Sequence, residues 1–279
     1  MLSSFLITLR EGLEAALIIG IILAYLARSD NRQAFKQVWL GTGLAVFVSL
    51  IAGAVILIVA GELSGRAEEV FEGIAMFLAA GVLTWMIFWM RKQAVGIRGH
   101  LQSQVQSALA TGSSFGLLAL TFIVVVREGV ETALFLFATT RVEGSAVLSA
   151  VGGILGLTVA VVIGYGLYRG ASRLNLRVFF NVTSLILIVF AAGLLAHGIH
   201  EFQEAGIIPI VVEHVWDINH ILPEKETAGR FLTAIVGYNG NPSLIEVVGY
   251  VVYLAATLGL YLRSGVRNTR QVAEGQLTR

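Results

Sequence analysis

The chain is poor in several residues that soluble proteins use freely. It contains no cysteine, which excludes disulfide bonds and thiolate metal sites, so any metal must be bound by oxygen or imidazole ligands. Only 13% of its 279 residues are charged, whereas roughly a quarter are charged in an average soluble domain. Hydrophobic residues reach 56%, and 31 glycines against 3 prolines suit closely packed membrane helices. These values exclude a soluble protein, and a net charge of +1 gives no indication of nucleic-acid binding.

Long apolar runs predict an all-α integral membrane protein with seven transmembrane helices. Each run has about 18 to 25 residues, which is enough to cross a hydrocarbon core about 30 Å thick. The predicted spans are 4–26, 38–60, 71–90, 114–138, 146–168, 179–199 and 244–262. An odd number of crossings puts the two termini on opposite sides of the membrane.

Lysine and arginine are distributed unevenly between the two sides that these spans define. One side has only Arg66, Arg141, Lys225 and Arg230, and the other has Arg28, Arg32, Lys36, Arg91, Lys92, Arg98, Arg169, Arg173, Arg177, Arg263, Arg267, Arg270 and Arg279. The positive-inside rule therefore predicts an external N-terminus and a cytosolic C-terminus in the cytoplasmic (inner) membrane. Acidic residues collect on the external side, either because they solvate the outer loops or because they attract cations.

The chain contains an internal repeat. Residues 9–17 (LREGLEAAL) align with residues 126–134 (VREGVETAL) at an offset of 117, and six of the nine positions are identical. A weaker match pairs 79–83 with 191–195 at an offset of 112. Because three crossings separate the copies, we predict a 3+3 inverted repeat plus a seventh helix, with a site near the midplane.

This repeat divides the chain into five parts. They are a first three-helix repeat (1–111), a second three-helix repeat (112–200), an extracytoplasmic connection with interfacial helices (201–243), the seventh transmembrane helix (244–263) and a cytosolic tail (264–279). The connection is too long for a bare loop, and its apolar residues predict short helices lying on the outer surface.

Each copy of the motif R-E-G-x-E places an arginine and two glutamates inside an apolar helix. The residues are Arg10, Glu11 and Glu14 in the first copy and Arg127, Glu128 and Glu131 in the second. Helical spacing puts the three groups of each copy on one face, and a charge near the bilayer centre costs about 2.5 to 3.5 kcal/mol, so these groups must face one another or water. Four carboxylates and two guanidiniums favour a multivalent hard cation. The alternative is that arginine and glutamate pair only to join the helices.

Two further groups lie at the external ends of helices. Glu69 and Glu72 begin the third helix with an E-x-x-E spacing, where they either bind a cation or interact favourably with the helix dipole. Glu246 follows Ser243 at the spacing of a capping box, so we interpret it as a helix cap.

The end of the sixth helix carries a His/Glu group within an arc of about 100°, suited either to a transition metal or to interfacial hydrogen bonds. Its members are His197, His200, Glu201 and Glu204.

These residues give the chain its resemblance to a known family. The R-E-G-L-E run at 10–14, the R-E-G-V-E run at 127–131, the pair Glu69 and Glu72 and the H-G-I-H-E-F-Q-E run at 197–204 resemble the oxidase-dependent iron permeases. That family includes the fungal high-affinity iron permeases and the bacterial EfeU-type ferrous iron permeases. The resemblance implies a transporter rather than an enzyme, taking up Fe²⁺ or Fe³⁺, with iron as cargo and no prosthetic group. It also implies an oxidase or periplasmic partner that delivers the iron.

The residues by themselves leave the cargo open, because they indicate only a multivalent cation. In this interpretation the motif glutamates bind the cation, while Arg10 and Arg127 orient the carboxylates and limit their negative charge. Other classes are a transporter of a different multivalent metal and, built on the His/Glu group, a membrane metalloenzyme. A retinal protein is excluded because all three lysines, Lys36, Lys92 and Lys225, lie in connections. The inverted repeat argues against a ligand-sensing receptor.

Overall fold

The fold was determined as a computed structural model, which describes residues 1–93, 103–108, 114–168, 176–224 and 226–277. Within these ranges the regular elements are helices, with no strand. The main ones are α1 (Leu2–Arg28), α2 (Phe35–Glu62), α3 (Arg66–Gln93), α4 (Ser114–Glu143), α5 (Ala146–Tyr168), α6 (Leu176–Glu204), α7 (Thr227–Val236) and α8 (Leu244–Leu277). All seven predicted spans lie inside these helices, most of which extend a few residues further. The cations Arg98, Arg169, Arg173, Lys225 and Arg279, used above to predict the orientation, lie outside the described residues.

Five helical regions are long and apolar enough to cross a membrane. They are Arg32–Glu62, Arg66–Met90, Ala146–Gly166, Val178–Glu204 and Leu244–Arg263. The α1 and α4 helices are of similar length, 27 and 30 residues, but each carries the three charged residues of one R-E-G-x-E motif. The all-α, multi-pass architecture is therefore confirmed. That α1 and α4 also cross, which would give seven spans, stays a prediction.

The long helices pack in pairs that are distant in sequence. The α1 helix lies along α5, α2 along α4, and α3 along α6, while α8 also packs against α6. Small residues permit this close approach. Gly12 on α1 faces Ala160 on α5, and Gly129 on α4 faces Ser49 on α2, with no room for a Cβ atom at either glycine. The two helices that carry the motifs are thereby held deep inside the bundle.

The outside of the bundle is far more apolar than the surface of a soluble protein. Large apolar side chains cover the outside, such as Leu50 on α2, which is 68% exposed, and Ile154 on α5, which is 66% exposed. By contrast Arg10 and Glu11 are 0% and 1% exposed. Lipid tails solvate the first group, and the bundle interior shields the second from lipid. The charged motif of α1 therefore lies inside the bundle.

The connection between α6 and α8 contains one helix in its described part, α7, where we expected several on the outer surface. The α7 helix contacts α1, α4 and α6. Its C-terminal Gly237 has a left-handed backbone (φ 66°) and packs against Gly193, where a side chain on either residue would overlap the other. Gly193 lies eleven residues before the end of α6, which is about 16 Å along the helix. The connection therefore enters the outer half of the bundle.

Candidate metal-binding site

Glutamates from both motif copies meet between α1 and α4. Carboxylate oxygens of Glu11, Glu128 and Glu131 lie within 4.8 Å of one another, the one group of three or more potential metal ligands so assembled by the described residues. Their exposed fractions are only 1%, 5% and 9%. Glu128 and Glu131, three positions apart, share a face of α4, and this face meets Glu11 of α1. We call these three residues the glutamate cluster.

The glutamate cluster has unused hydrogen-bonding capacity. Within the part of the chain that the structure describes, both carboxylate oxygens of Glu11 and one each of Glu128 and Glu131 are buried without a hydrogen-bond partner. Burying a carboxylate without a partner is costly, and three close together repel one another as well. A hard cation bound among these oxygens would relieve both costs, so the donor set fits iron, which accepts carboxylate ligands.

Arg10 and Glu14 adjoin the cluster on α1. The Nε atom of Arg10 lies 3.2 Å from Oε1 of Glu14, and its Nη1 atom lies 3.9 Å from Oε1 of Glu11. These are charge contacts without hydrogen-bond geometry, because none of the three guanidinium nitrogens has a hydrogen-bond partner among the described residues. Arg10 therefore offsets negative charge while leaving the carboxylate oxygens of Glu11 free of hydrogen bonds.

Arg127 is held more firmly than Arg10. Its Nε atom donates a 2.9 Å hydrogen bond to Oε1 of Glu131, and it lies 4.0 Å from Glu128. The guanidinium carbon lies 4.8 Å from the ring centre of Trp85 and 4.7 Å from that of Trp89, both on α3. Such cation–π contacts stabilise a guanidinium at a chosen place. These tryptophans could not be predicted from the sequence, because their spacing on α3 carries no information about contacts with a motif on another helix.

At the N-terminal end of α3, Glu72 and Glu68 pair with an arginine of α4. The Nη1 atom of Arg141 lies 2.6 Å from Oε1 of Glu72 and 3.4 Å from Oε1 of Glu68. Glu72 is buried, whereas Glu69 is half-buried. The predicted pair Glu69 and Glu72 therefore includes one residue that already has a strong partner, and Arg141 was not anticipated.

The His/Glu group at the end of α6 has its own partners. The Nδ1 atom of His197 lies 3.1 Å from the carbonyl oxygen of Gly193, one turn earlier. His200 lies between two acids, with Nε2 3.4 Å from Glu204 and Nδ1 3.1 Å from Glu246. The carboxylate of Glu246 also reaches the backbone N–H of Ser243, so the predicted helix cap is present. Its second contact, with His200, was not predicted.

The structure thus assembles one of the three predicted ligand groups. The glutamates of α1 and α4 come together, whereas the described part of the chain shows no comparable convergence of three ligand atoms among Glu69, Glu72 and the His/Glu group. These outer residues nevertheless lie at one level, because Gly73, next to Glu72, packs against Phe202, next to Glu201. A buried carboxylate cluster inside a helical, multi-pass membrane protein is the arrangement expected of a cation transporter.

Comparison with known proteins agrees with this class and narrows it. The chain matches the Iron permease FTR1 family over residues 1–268 and belongs to that family. The protein is therefore a transporter with iron as its transported substrate, and the metalloenzyme alternative is wrong.

Close relatives cover nearly the whole chain. The ferrous iron permease EfeU of Escherichia coli O6:K15:H31 (strain 536 / UPEC) is 39% identical over 273 residues, which are 96% of this chain and 99% of that protein. The ferrous iron permease EfeU of Shigella sonnei (strain Ss046) is 40% identical over 256 residues, or 91% and 92% of the two chains. That of Yersinia pestis is 38% identical over 259 residues, or 92% of each chain. No solved structure matches this chain.

Proposed function

We propose that this protein carries Fe²⁺ or Fe³⁺ across the cytoplasmic membrane with high affinity, and that the glutamate cluster is its central iron site. One observation carries the proposal: three buried carboxylates from two motif copies have oxygens within 4.8 Å of one another. Four of the six oxygens of these carboxylates have no hydrogen-bond partner among the described residues. Glu14 completes the site at the edge of the cluster, and Arg10 and Arg127 keep the carboxylates oriented.

The helix packing supports an inverted repeat. In the predicted repeat, α1 corresponds to α4 and α2 corresponds to α5. The packing of α1 against α5 should therefore have a counterpart in the packing of α4 against α2. Both helix pairs are present. Gly12 and Gly129 correspond at the motif offset, and each meets the small residue of the matching helix, Ala160 or Ser49. In such folds the substrate lies between the repeats. This is the place of the glutamate cluster, and it implies that α1 and α4 span the membrane too.

The outer residues form the approach to the cluster. External acids concentrate iron, and Glu69 and Glu72 pass it toward the cluster together with His197, His200, Glu201 and Glu204. The contact between Gly73 and Phe202 supports this path, because it brings the acids of α3 beside those of α6. An oxidase or a periplasmic protein delivers the iron on this side, as the resemblance to the oxidase-dependent permeases implies.

Iron uptake by a variant in which one carboxylate of the glutamate cluster is neutralised tests the central site. We expect Glu131→Gln to abolish iron uptake by cells, because it removes a ligand charge without changing the shape of the side chain. Asp30→Asn neutralises an exposed carboxylate just after α1, on the predicted cytosolic side and away from the proposed iron path; it is the matched control and should leave uptake unchanged. Normal uptake by Glu131→Gln at equal expression would contradict the proposal. Proteoliposomes loaded in parallel with Fe²⁺ and Fe³⁺ then decide which ion is carried.

The orientation is testable because the chain has no cysteine of its own. Ser64, between α2 and α3, and Ser29, at the end of α1, are both exposed. In whole cells we expect a membrane-impermeant maleimide to label Ser64→Cys at once and Ser29→Cys only after permeabilisation. The opposite pattern would reverse the predicted orientation, and labelling of both positions in intact cells would show that α2 does not cross the membrane.

A further inference from the structure

Glu246 joins the first turn of α8 to His200 on α6. Its backbone N–H donates to Oγ of Ser243 at 3.3 Å, and its Oε1 accepts from the N–H of Ser243 at 3.3 Å, which completes the capping box. The same Oε1 lies 3.1 Å from Nδ1 of His200, and its Oε2 accepts a 2.8 Å bond from Asn239. A cap requires neither of these last two contacts. The carboxylate therefore has a second role beside starting the helix.

We propose that Glu246 is a positioning residue that orients His200 for iron. A carboxylate accepts hydrogen bonds, so the ring nitrogen that faces it, Nδ1, carries a hydrogen. The metal-binding nitrogen is then Nε2, which lies 3.4 Å from Glu204 and gives up its proton when iron binds. Proteins commonly orient a metal-binding imidazole by such a carboxylate on its far side.

The two acids on either side of the His200 imidazole differ in burial. Glu246 is only 3% exposed, whereas the side chains of His200 and Glu204 are 45% and 54% exposed. Iron that arrives from outside thus meets Nε2 and the Glu204 carboxylate, while Glu246 is shielded beneath them. The contact with Asn239 fixes Glu246 from the other side, so a turn of the His200 ring would break its partly buried hydrogen bond to a carboxylate that is itself held in place. This inference rests on the proposed role of the outer residues.

Glu246→Gln separates positioning from capping. Glutamine serves equally well at this position of a capping box, so the start of α8 should remain intact. Its amide can present a donor to His200 and removes the charge that holds Nδ1–H. We expect Fe²⁺ to bind the outer residues about 10- to 100-fold more weakly, with an unchanged unfolding temperature. Ser243→Ala is the reciprocal variant: it removes the cap hydroxyl, lowers the unfolding temperature and leaves iron binding unchanged.

Binding is measured anaerobically with Fe²⁺ on the purified full-length protein. A background of Glu11→Gln with Glu131→Gln weakens the glutamate cluster, so that the remaining binding reports the outer residues. The apparent KM for uptake, measured in cells with single variants only, is an independent readout and should rise for Glu246→Gln at equal expression. Unchanged binding and KM in Glu246→Gln, or equal losses in Glu246→Gln and Ser243→Ala, would overturn the inference.

His200→Ala distinguishes failure of the inference from failure of the proposed outer path. Weaker Fe²⁺ binding in His200→Ala with normal binding in Glu246→Gln would overturn only the positioning role. Normal binding in both variants would remove His200 from the iron path, while the glutamate cluster would still be tested separately by Glu131→Gln. Equal weakening in both variants and in their combination is the result we expect, because Glu246 acts through His200.

Discussion

The two copies of the R-E-G-x-E motif have nearly the same sequence but different surroundings. Arg10 is fully buried, and the described residues offer its nitrogens charge contacts but no hydrogen bond. Arg127 is 32% exposed, donates a hydrogen bond to Glu131 and lies over Trp85 and Trp89. Within the described chain, Arg10 is therefore held only by charge contacts with the glutamates of its own motif, whereas Arg127 is also held by two tryptophans of α3. The neighbouring helices, rather than the motif, decide how firmly each arginine is held.

The neighbouring helices also differ at matching positions. In the alignment that pairs residues 79–83 with 191–195, Trp85 corresponds to His197 and Trp89 to Glu201. One half thus has two aromatic rings where the other has an imidazole and a carboxylate. Under the proposed orientation the metal-binding side chains lie on the external side and the aromatic pair on the cytosolic side. An inverted repeat can in this way give its two ends different chemistry.

Removing Arg10 should have the largest effect on stability. Arg10→Leu leaves Glu11 and Glu14 buried without their counter-charge, and removing one partner of a buried pair costs about 3 to 5 kcal/mol. Arg127→Leu should cost less, because Arg127 is partly exposed. Thermal unfolding in detergent and the amount of protein in the membrane measure both. Adding Glu14→Gln to Arg10→Leu should restore part of the loss, and equal losses for the two arginines would refute the difference between the copies.

Replacing the motif glycines by alanine should lower the stability by an intermediate amount that is similar in the two halves. A Cβ at Gly12 would lie 2.7 Å from Cβ of Ala160, and one at Gly129 would lie 2.6 Å from Cβ of Ser49. Overpacking of this kind costs about 1 to 3 kcal/mol, so Gly12→Ala and Gly129→Ala should both lower the unfolding temperature. Ala160→Gly should rescue only the first and Ser49→Gly only the second. Rescue by the crossed combination would contradict the helix pairing.

Loss of the aromatic pair should have the smallest effect, seen in iron affinity. Without Trp85 and Trp89 the guanidinium of Arg127 is free to turn toward Glu128 and compete with iron. A cation–π contact at a partly exposed site contributes about 0.5 to 1 kcal/mol, so losing both contacts through Trp85→Leu with Trp89→Leu should raise the apparent KM for uptake by roughly tenfold. Trp39→Leu, on the exposed side of α2, is the control.

A double-mutant cycle shows whether the tryptophans act through Arg127. In an Arg127→Gln background the two tryptophan substitutions should have no further effect on the apparent KM. An additive loss in that background would mean that the tryptophans serve the packing of α3 instead.

Much of this architecture could be predicted from local patterns in the sequence. Apolar runs predicted all the long helices, and the repeated motif predicted that Glu11, Glu14, Glu128 and Glu131 would come together, because buried charges must find one another. Three of these glutamates form the cluster, while Glu14 lies beside it in contact with Arg10. The contacts of Trp85 with Arg127 could not be predicted, since they join helices whose relative rotation no local pattern encodes. The contact of Glu246 with His200 was missed for another reason: the role of Glu246 as a cap fully explained its spacing. That these residues bind iron stays a prediction.

The packing of α1 along α5 has a consequence for how the protein is made. In the proposed topology, in which α1 spans the membrane, a nascent α1 reaches the bilayer before α4 and α5 are made, so Arg10, Glu11 and Glu14 arrive there before their final neighbours. Arg10 and Glu14 are four residues apart on one helix and in contact at 3.2 Å, so part of the charge is neutralised within α1 itself. The arginine with the weakest support in the finished fold is thus the one that helps its own helix through biogenesis.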